Sequence, residues 1–404
     1  MELKTSWWRL GSMILVSLVI MLVELNWQKI PYIDPDSNSY LMVAKQMKNL
    51  SWPNLSMRTP TYPVFLIPAV VMGDLRWVIF GSVVISAIGA GLFLILIDKL
   101  SNKYFLNWIV CLLLWVDYGV VQFQNMVMTE SIAPTLILLF ILVNWWLWQR
   151  KISLKSVVLV LMVDILVMYL KPGFLLLPFL VKIFFWLNEK TKKIWWQLAI
   201  VDLLLVILLP TYNLLNNGKF QISDVGTVNT LGVVLKNGYL KNADKPFSDT
   251  QDPWEVVDRL GENGKGRWAS LKQISEINKK EIRSNWMDFG SRAMMSVDDN
   301  FTFYRRFYVE PNRFISINYF FRTTNWLEHK INRLKWVGFL VGWFIFLRMR
   351  IKVDKRTSLL GVVLVVCGGV ILMNSFFSYD EFYRLKQPIE PLLGLLVLLP
   401  GLLI

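Results

Sequence analysis

Residues 77–97 read WVIFGSVVISAIGAGLFLILI, a run of apolar and small side chains that contains no charged residue. Because an α-helix rises 1.5 Å per residue, a run of this length crosses a hydrocarbon core about 30 Å thick. The whole chain has the same character: 55% of its residues are hydrophobic, 18% are charged, and the mean hydropathy is +0.45. Soluble domains do not have this composition. The sequence therefore predicts an integral membrane protein.

Apolar runs of about 14–21 residues recur along the chain, and most of them are long enough to cross a membrane. We expect ten spans, near residues 7–25, 77–97, 104–120, 131–148, 157–170, 173–187, 194–214, 334–349, 357–376 and 388–404. The shorter run 63–72 is predicted to lie at the interface or to insert halfway. The pattern indicates an all-α polytopic membrane protein, a bundle of about ten transmembrane helices with juxtamembrane helices on its outer face.

The net charge of +14 arises mostly from membrane topology. Alternate short loops carry the basic residues Lys99, Lys103, Arg150, Lys151, Lys155, Lys190, Lys192, Lys193, Arg348, Arg350, Lys352, Lys355 and Arg356. Loops rich in lysine and arginine face the cytoplasm. We therefore expect a multi-pass membrane protein with a cytoplasmic N-terminus and no nucleic-acid partner. The many aromatic and lysine residues and the lack of external disulfides favour a bacterial plasma membrane, with the endoplasmic reticulum as the alternative.

This orientation divides the chain into three parts. Residues 1–214 form the predicted first membrane module, with spans one to seven and a first outer loop over 26–76. Residues 334–404 form the last three spans. Between them, the stretch 215–333 has mixed charge, and its apolar residues Trp268, Leu271 and Ile274 fall at helical spacing. We expect this stretch to be a small, mainly helical external domain.

Each predicted outer loop carries a few functional side chains. The first contains Asp34-Pro-Asp36-Ser-Asn-Ser-Tyr40, followed by Arg58-Thr-Pro-Thr-Tyr62-Pro63. The later loops contain Thr129-Glu130, Lys171-Pro172 and Tyr383-Arg384, the last ahead of Pro388 and Pro391. Ionisable residues at membrane depth are costly and are candidates for function. Asp36 and Tyr40 share one face if the segment 37–48 is helical.

Each of these residues also has a simpler explanation. Asp34 is a turn residue before a proline, and Asp36 is a helix N-cap, which is compatible with catalysis. Glu130 complements a helix dipole. Lys171 and Arg384 reach interfacial water or lipid phosphate. Because four loops on one side carry complementary charges, a shared site explains the set better than separate explanations do.

The order of these motifs resembles the GT-C superfamily of integral-membrane glycosyltransferases that use polyprenyl-phosphate sugars. It is most similar to the family 39-like branch of protein O-mannosyltransferases and lipid-A aminoarabinose transferases. The resemblance covers roughly residues 1–215 and the final outer loop, and it implies that the module 1–214 is catalytic. The stretch 215–333 is not matched, and we expect it to be related to the acceptor. It rests on the acid four positions before Tyr40, the stretch 58–63, Thr129-Glu130, Lys171-Pro172, and Arg384 before a Pro-x-x-Pro run. Many relatives carry two adjacent acids, whereas Pro35 separates Asp34 from Asp36.

The resemblance implies an inverting transfer of sugar from a polyprenyl-phosphate donor to an acceptor hydroxyl on the outer face. Asp36 is the expected general base, and Glu130 would orient the acceptor or hold a divalent cation, Mg²⁺ or Mn²⁺. The remaining candidates are Asp34 as a further catalytic carboxylate, Lys171, Arg384 and Arg58 for the donor phosphate, and Tyr40, Tyr62 and Tyr383 for positioning substrate.

The expected partners follow from this chemistry. They are the lipid-linked donor, membrane lipids, and a glycan, lipid or protein acceptor of the cell envelope. No Gly-rich phosphate loop follows a strand, so we expect no nucleotide or organic cofactor. Cys111 and Cys367 lie in apolar runs, and His329 stands outside any metal-ligand spacing, so neither residue type indicates a metal site.

Two other functions stay open. A ligase or polymerase of lipid-linked polysaccharide is also a multispan enzyme with outer arginines, although its catalytic residues usually lie in one large late loop. A transporter or flippase of lipid-linked sugars places paired charges in mid-membrane and often has broken helices at corresponding positions in two halves. The sequence shows no such two-half symmetry, and Asp164 and Asp202 are the residues that favour transport. We expect these two acids instead to make hydrogen bonds between helices.

Overall fold

The structure, a computed structural model, describes residues 7–25, 31–33, 35–55, 58–115, 123–149, 153–188, 192–218, 220, 222–240, 253–260, 266–295, 334–348, 355–377 and 387–403. The helices of eight residues or more, numbered in chain order, are α1 (Trp7–Leu25), α2 (Pro35–Lys48), α3 (Thr61–Met72), α4 (Arg76–Leu100), α5 (Tyr104–Trp115), α6 (Ala133–Trp148), α7 (Leu154–Met168), α8 (Leu177–Asn188), α9 (Lys192–Asn217), α10 (Asp224–Lys236), α11 (Pro253–Leu260), α12 (Gly266–Ser284), α13 (Trp286–Met295), α14 (334–348), α15 (Lys355–Phe377) and α16 (Glu390–Leu403).

Short 3-10 turns and one β-bridge complete the secondary structure of the described part. The turns are Thr129–Ser131, Pro172–Phe174 and Gln387–Ile389. The bridge is an isolated parallel contact between Tyr32 and Met126. The prediction of an all-α polytopic membrane protein is therefore confirmed.

Three of the described helices are long and apolar enough, by length and composition, to cross a membrane: Arg76–Leu100, Lys193–Asn216 and Lys355–Met373. Shorter apolar helices cover Trp7–Leu22, Thr61–Met72, Tyr104–Trp115, Ala133–Trp148, Pro172–Leu187 and Glu390–Pro400. A described helix lies at each of the ten predicted spans, with α5 ending at Trp115 where the prediction ran to 120. The number of helices that cross the membrane, and their orientation, stay predictions.

Helix α4 is packed against α1, α5 and α6. Small residues allow this close approach, because a Cβ added to Gly89 would lie 2.3 Å from both Thr135 Oγ1 and the Trp115 ring. The Trp115 indole also donates a hydrogen bond to the Ser86 carbonyl at 2.8 Å. On the other side of the bundle, α8 packs against α9 and α15, and α7 packs against α6.

We expect Gly89→Ala to destabilise the protein by about 1–3 kcal/mol, the usual cost of overpacking a filled core. Gly11→Ala on α1 is the matched control, because nothing lies within 4 Å of a Cβ added there. This control should be neutral or stabilising, since alanine is the better helix former. Melting temperatures of the two purified variants in detergent check the difference, and equal values would contradict this account of the α4 contact.

The helix ends fall into two groups. At one end, Ser101 Oγ donates to the Leu402 carbonyl at 3.1 Å, and Trp145 Nε1 donates to the Lys355 carbonyl at 3.0 Å. Arg9 and Asp98 form an ion pair at 2.9 Å in the same region, close to Tyr104. The other end, which we call the loop end, carries the segments that precede α2, α3, α6 and α8. The candidate site residues belong to these segments.

Helices α10 to α12 have a small core of their own, built from Val228, Leu231, Val256, Leu271, Ile274 and neighbouring aliphatic residues. Helices α10 and α13 also contact α15. The Tyr239 hydroxyl donates to Asp288 Oδ2 at 2.8 Å, and this bond, with Arg292 nearby, holds the pKa of the Asp288 carboxyl below its usual range. The part of the predicted external domain that the structure describes is therefore helical. Its boundaries at 215 and 333 and its relation to the acceptor stay predictions.

Candidate functional site

Backbone hydrogen bonds join the first predicted outer loop to the second at the loop end. The Tyr32 amide donates to the Asn125 carbonyl at 2.8 Å, and the Val127 amide donates to the Tyr32 carbonyl at 3.3 Å. Ser37 Oγ, in the first turn of α2, donates to the Val127 carbonyl at 2.9 Å. The start of α2 is therefore fixed beside the segment that leads into Glu130.

The same loop also contacts the turn between α7 and α8. Thr59 Oγ1 donates to the Leu170 carbonyl at 3.0 Å, and the Thr61 amide donates to the Tyr169 carbonyl at 3.1 Å. Both threonines flank Pro60, whose ring restricts the backbone where the chain turns into α3. Three segments that are distant in the sequence thus meet, and each carries predicted site residues.

Asp36 and Arg58 form an ion pair within this junction. Arg58 Nη2 donates to Asp36 Oδ1 at 2.5 Å, and Arg58 Nε donates to Ser39 Oγ at 2.6 Å. Helix α2 begins at Pro35, so Asp36 lies in its first turn, where a negative charge complements the helix dipole. The Asp36 side chain is 27% exposed and the Arg58 side chain is 11% exposed. The pair is therefore open to solvent only at one edge.

Two tyrosines connect this ion pair to the interior. The Arg58 guanidinium lies 4.6 Å from the centroid of the Tyr40 ring, a cation–π contact. The Tyr40 and Tyr62 rings meet edge to face with centroids 5.1 Å apart. The buried Tyr62 hydroxyl lies near the Ser131 side chain and the Glu130 carboxylate. It makes no hydrogen bond of ordinary geometry to any described residue. Tyr62 thus lies between the first ion pair and Glu130.

Glu130 and Lys171 form a second, more deeply buried ion pair. Lys171 Nζ lies 2.7 Å from Glu130 Oε1, and the side chains are 10% and 1% exposed. Thr129 Oγ1 donates to the other carboxylate oxygen, Glu130 Oε2, at 2.8 Å. Glu130 belongs to the 3-10 turn before α6, and Lys171 immediately precedes the 3-10 turn before α8. A buried carboxylate is tolerable here because a charged donor and a hydroxyl both bind it.

The arrangement is a continuous chain of charged and aromatic groups. It runs from Asp36 through Arg58, Tyr40 and Tyr62 to the Glu130–Lys171 pair. Two acids and two bases balance in charge. Within one small region, the two cations can stabilise an anionic leaving group, and the two carboxylates can accept a proton. No group of three or more His, Cys, Asp or Glu suited to a metal ion occurs among the described residues.

Three predicted site residues, Asp34, Tyr383 and Arg384, lie outside the described residues. The described residues on either side of the last predicted outer loop do approach the site. Helix α15, which precedes that loop, contacts the 3-10 turn Pro172–Phe174 beside Lys171. The 3-10 turn Gln387–Ile389, which follows it, contacts α6. The roles of the three residues stay predictions.

The sequence did not reveal three polar contacts, one at the site and two buried elsewhere in the described bundle. Ser39 binds Arg58, as described above. Lys335 pairs with Glu390 at 2.9 Å, and both side chains are buried. Lys182, fully buried in α8, pairs with Asp164 at 2.7 Å and lies 3.6 Å from Asp202. A lysine inside an apolar run was a usable signal for Lys182. The expected interhelical hydrogen bonds describe Asp164, which binds Asn144 and Lys182. They do not describe Asp202, whose carboxylate oxygens make no hydrogen bond to a described residue.

The fold and these contacts describe a helical membrane protein with a charged site at one end of its bundle. No protein-family model matches the chain, and no curated protein matches it. Among solved structures, it is similar to the crystal structure of ArnT from Cupriavidus metallidurans bound to undecaprenyl phosphate. The identity is 12%, the match covers 96% of this chain and 78% of that chain, and the TM-score is 0.37. Values this low leave the function to be argued from the residues of this chain.

Proposed function

We propose that the protein is a membrane glycosyltransferase. It moves a sugar from a polyprenyl-phosphate donor to a hydroxyl of a cell-envelope glycan, lipid or protein, on the outer face of the plasma membrane. The observation that carries the proposal is the chain of contacts from the Asp36–Arg58 pair to the Glu130–Lys171 pair. It brings together, at the loop end, the residue types on which the resemblance to GT-C glycosyltransferases rests.

The transfer needs both charge types. The bond between the anomeric carbon and the phosphate oxygen breaks, and the electron pair leaves with the polyprenyl phosphate. The acceptor oxygen bonds to the anomeric carbon from the opposite side, and its proton passes to Asp36. Arg58 and Lys171 stabilise the charge that grows on the phosphate. Glu130 would orient the acceptor, or would be the carboxylate ligand of a divalent cation that supplies further positive charge for the phosphate.

The two ion pairs must open, at least in part, for their cations to bind the donor phosphate. Arg58 and Lys171 are each neutralised by a carboxylate of the site. A donor phosphate competes with those carboxylates for the same cations, since arginine and lysine bind phosphate and carboxylate alike. Exchange of Arg58 from Asp36 to the phosphate leaves Asp36 better able to accept a proton. The base would thus become active only when the donor is in place.

The test is direct transfer by the purified protein. It is reconstituted in detergent or vesicles with synthetic polyprenyl-phosphate sugars of several head groups, and with envelope extract as the acceptor source. The expected result is equimolar release of polyprenyl phosphate and transfer of labelled sugar. Movement of intact donor across vesicles without cleavage would instead support a flippase. Joining of preformed glycan chains without use of the monosaccharide donor would support a ligase or polymerase. Either result would overturn the proposal.

A further inference from the structure

Lys182 is the centre of a second charged cluster, buried within the bundle and unused by the proposed chemistry. Its Nζ lies 2.7 Å from Asp164 Oδ2, 2.6 Å from Asn144 Oδ1 and 3.6 Å from Asp202 Oδ2. Asn144 Nδ2 in turn donates to Asp164 Oδ1 at 3.0 Å. The side chains of Lys182, Asp164 and Asp202 are all 0% exposed. One ammonium group therefore joins four helices, α6, α7, α8 and α9.

Burial of these charges is a poor way to gain stability. Removing a lysine and carboxylates from water is costly, and apolar side chains of similar volume often stabilise a core as well or better. A buried polar cluster does, however, favour one arrangement of helices, because any shift in register separates its partners. The best-supported use of such a cluster is therefore to fix register.

The helices joined by this cluster are those that carry the Glu130–Lys171 pair. Asn144 lies on α6, which follows Glu130. Asp164 lies on α7, which precedes Lys171, and Lys182 lies on α8, which follows it. With a rise of 1.5 Å per residue, the cluster lies about 10–20 Å along the helix axes from the ion pair. The two charged contacts thus tie the same helices together at two levels.

We infer that the Lys182 cluster positions Lys171 against Glu130 by locking α8 in register with α6 and α7. Lys182, Asp164 and Asn144 are positioning residues that act through Lys171 rather than by touching substrate. The effect of the cluster on sugar transfer rests on the proposed function. The effect of the cluster on the Glu130–Lys171 ion pair does not depend on that function.

The first test is kinetic. The triple variant Lys182→Met/Asp164→Asn/Asp202→Asn removes the charges while nearly conserving volume. Its melting temperature should stay within about 5 °C of the native value, because neutral replacement of a buried ion cluster is tolerated. Its KM for a synthetic polyprenyl-phosphate sugar should rise at least about tenfold, as expected when a phosphate-binding cation is misplaced. A purely structural role would lower the yield of active protein and leave KM unchanged.

The matched control is Arg9→Met/Asp98→Asn. Like the Lys182 cluster, the Arg9 cluster contains a basic residue, an aspartate and an asparagine: Arg9 pairs with Asp98, and Asn107 Nδ2 donates to Asp98 Oδ1 at 2.8 Å. It lies on α1, α4 and α5 at the end opposite the loop end, so the donor KM should stay within about twofold of native.

If the triple variant does not fold, Asn144→Leu replaces it in both tests, because it removes only the tie to α6. An unchanged donor KM in the folded variant would overturn the inference.

The second test does not depend on activity. Lys171→Met is introduced into the native protein and into the triple variant, and the two losses in melting temperature are compared. Residues this far apart normally contribute additively. If the cluster holds the ion pair together, the loss caused by Lys171→Met should be at least halved in the triple variant. Equal losses would overturn the inference, whether or not the protein transfers sugar. A native protein that transfers no sugar would refute only the proposed function.

Discussion

Asp36→Asn should lower the rate of sugar transfer by about 10²–10⁴-fold, the usual contribution of a general base. Asparagine keeps the size of the side chain but cannot accept the acceptor proton at neutral pH. Because the change also removes the carboxylate that holds Arg58, donor affinity should be equal to native or tighter. Initial rates and direct donor binding, measured on the same preparation, separate these two effects.

The control for this variant is Asp74→Asn. Asp74 is likewise an aspartate paired with a nearby arginine, but its partner Arg76 is 74% exposed, whereas Arg58 is 11% exposed, and the pair lies at the start of α4. We expect Asp74→Asn to transfer sugar at the native rate, since an exposed pair contributes little. Full activity in Asp36→Asn would show that another group takes the proton, and the assignment of the base would be wrong.

Lys171→Met should have the largest effect on the folded protein. It removes the ammonium group that neutralises Glu130, a side chain only 1% exposed. Removing one partner of a buried ion pair typically costs about 3–5 kcal/mol, because a charge stays behind in a poorly solvated place. We expect a marked fall in melting temperature in detergent, together with loss of transfer.

The double variant Glu130→Gln/Lys171→Met separates stability from catalysis. With both charges removed, most of the lost stability should return. Transfer should stay at least about 10²-fold below native, because the cation that stabilises the leaving phosphate is still missing. A double variant that regained both stability and transfer would show that the pair is only structural.

The apolar runs were sufficient to predict most of the helices. The bilayer core offers no water to bind backbone N–H and C=O groups, so an apolar segment there satisfies them within a helix. The spacing of Asp36 and Tyr40 also placed them correctly on α2. The pairing was not predictable. Spacing within a helix shows which residues share a face, whereas the contact of Asp36 with Arg58 depends on how the chain returns after α2.

The contacts in the interior of the site could not be predicted from the sequence for the same reason. Tyr62 lies between Tyr40 and Glu130 only because the chain around Thr59 and Thr61 is bonded to the turn between α7 and α8. Lys182 was overlooked because a single lysine does not interrupt the apolar run of α8. Its significance arises from Asp164 and Asn144, which other helices bring to it.

The hydrogen bond from Thr59 to Leu170 spans 111 residues of chain. At about 5–20 residues per second, a ribosome needs on the order of ten seconds to synthesise the intervening segment. During that interval the first predicted outer loop has left the ribosome, while the lysine that completes the site has not yet been made. The site therefore assembles late in biosynthesis, after Lys171 has been made, and Asp36 and Arg58 meet their final surroundings only then.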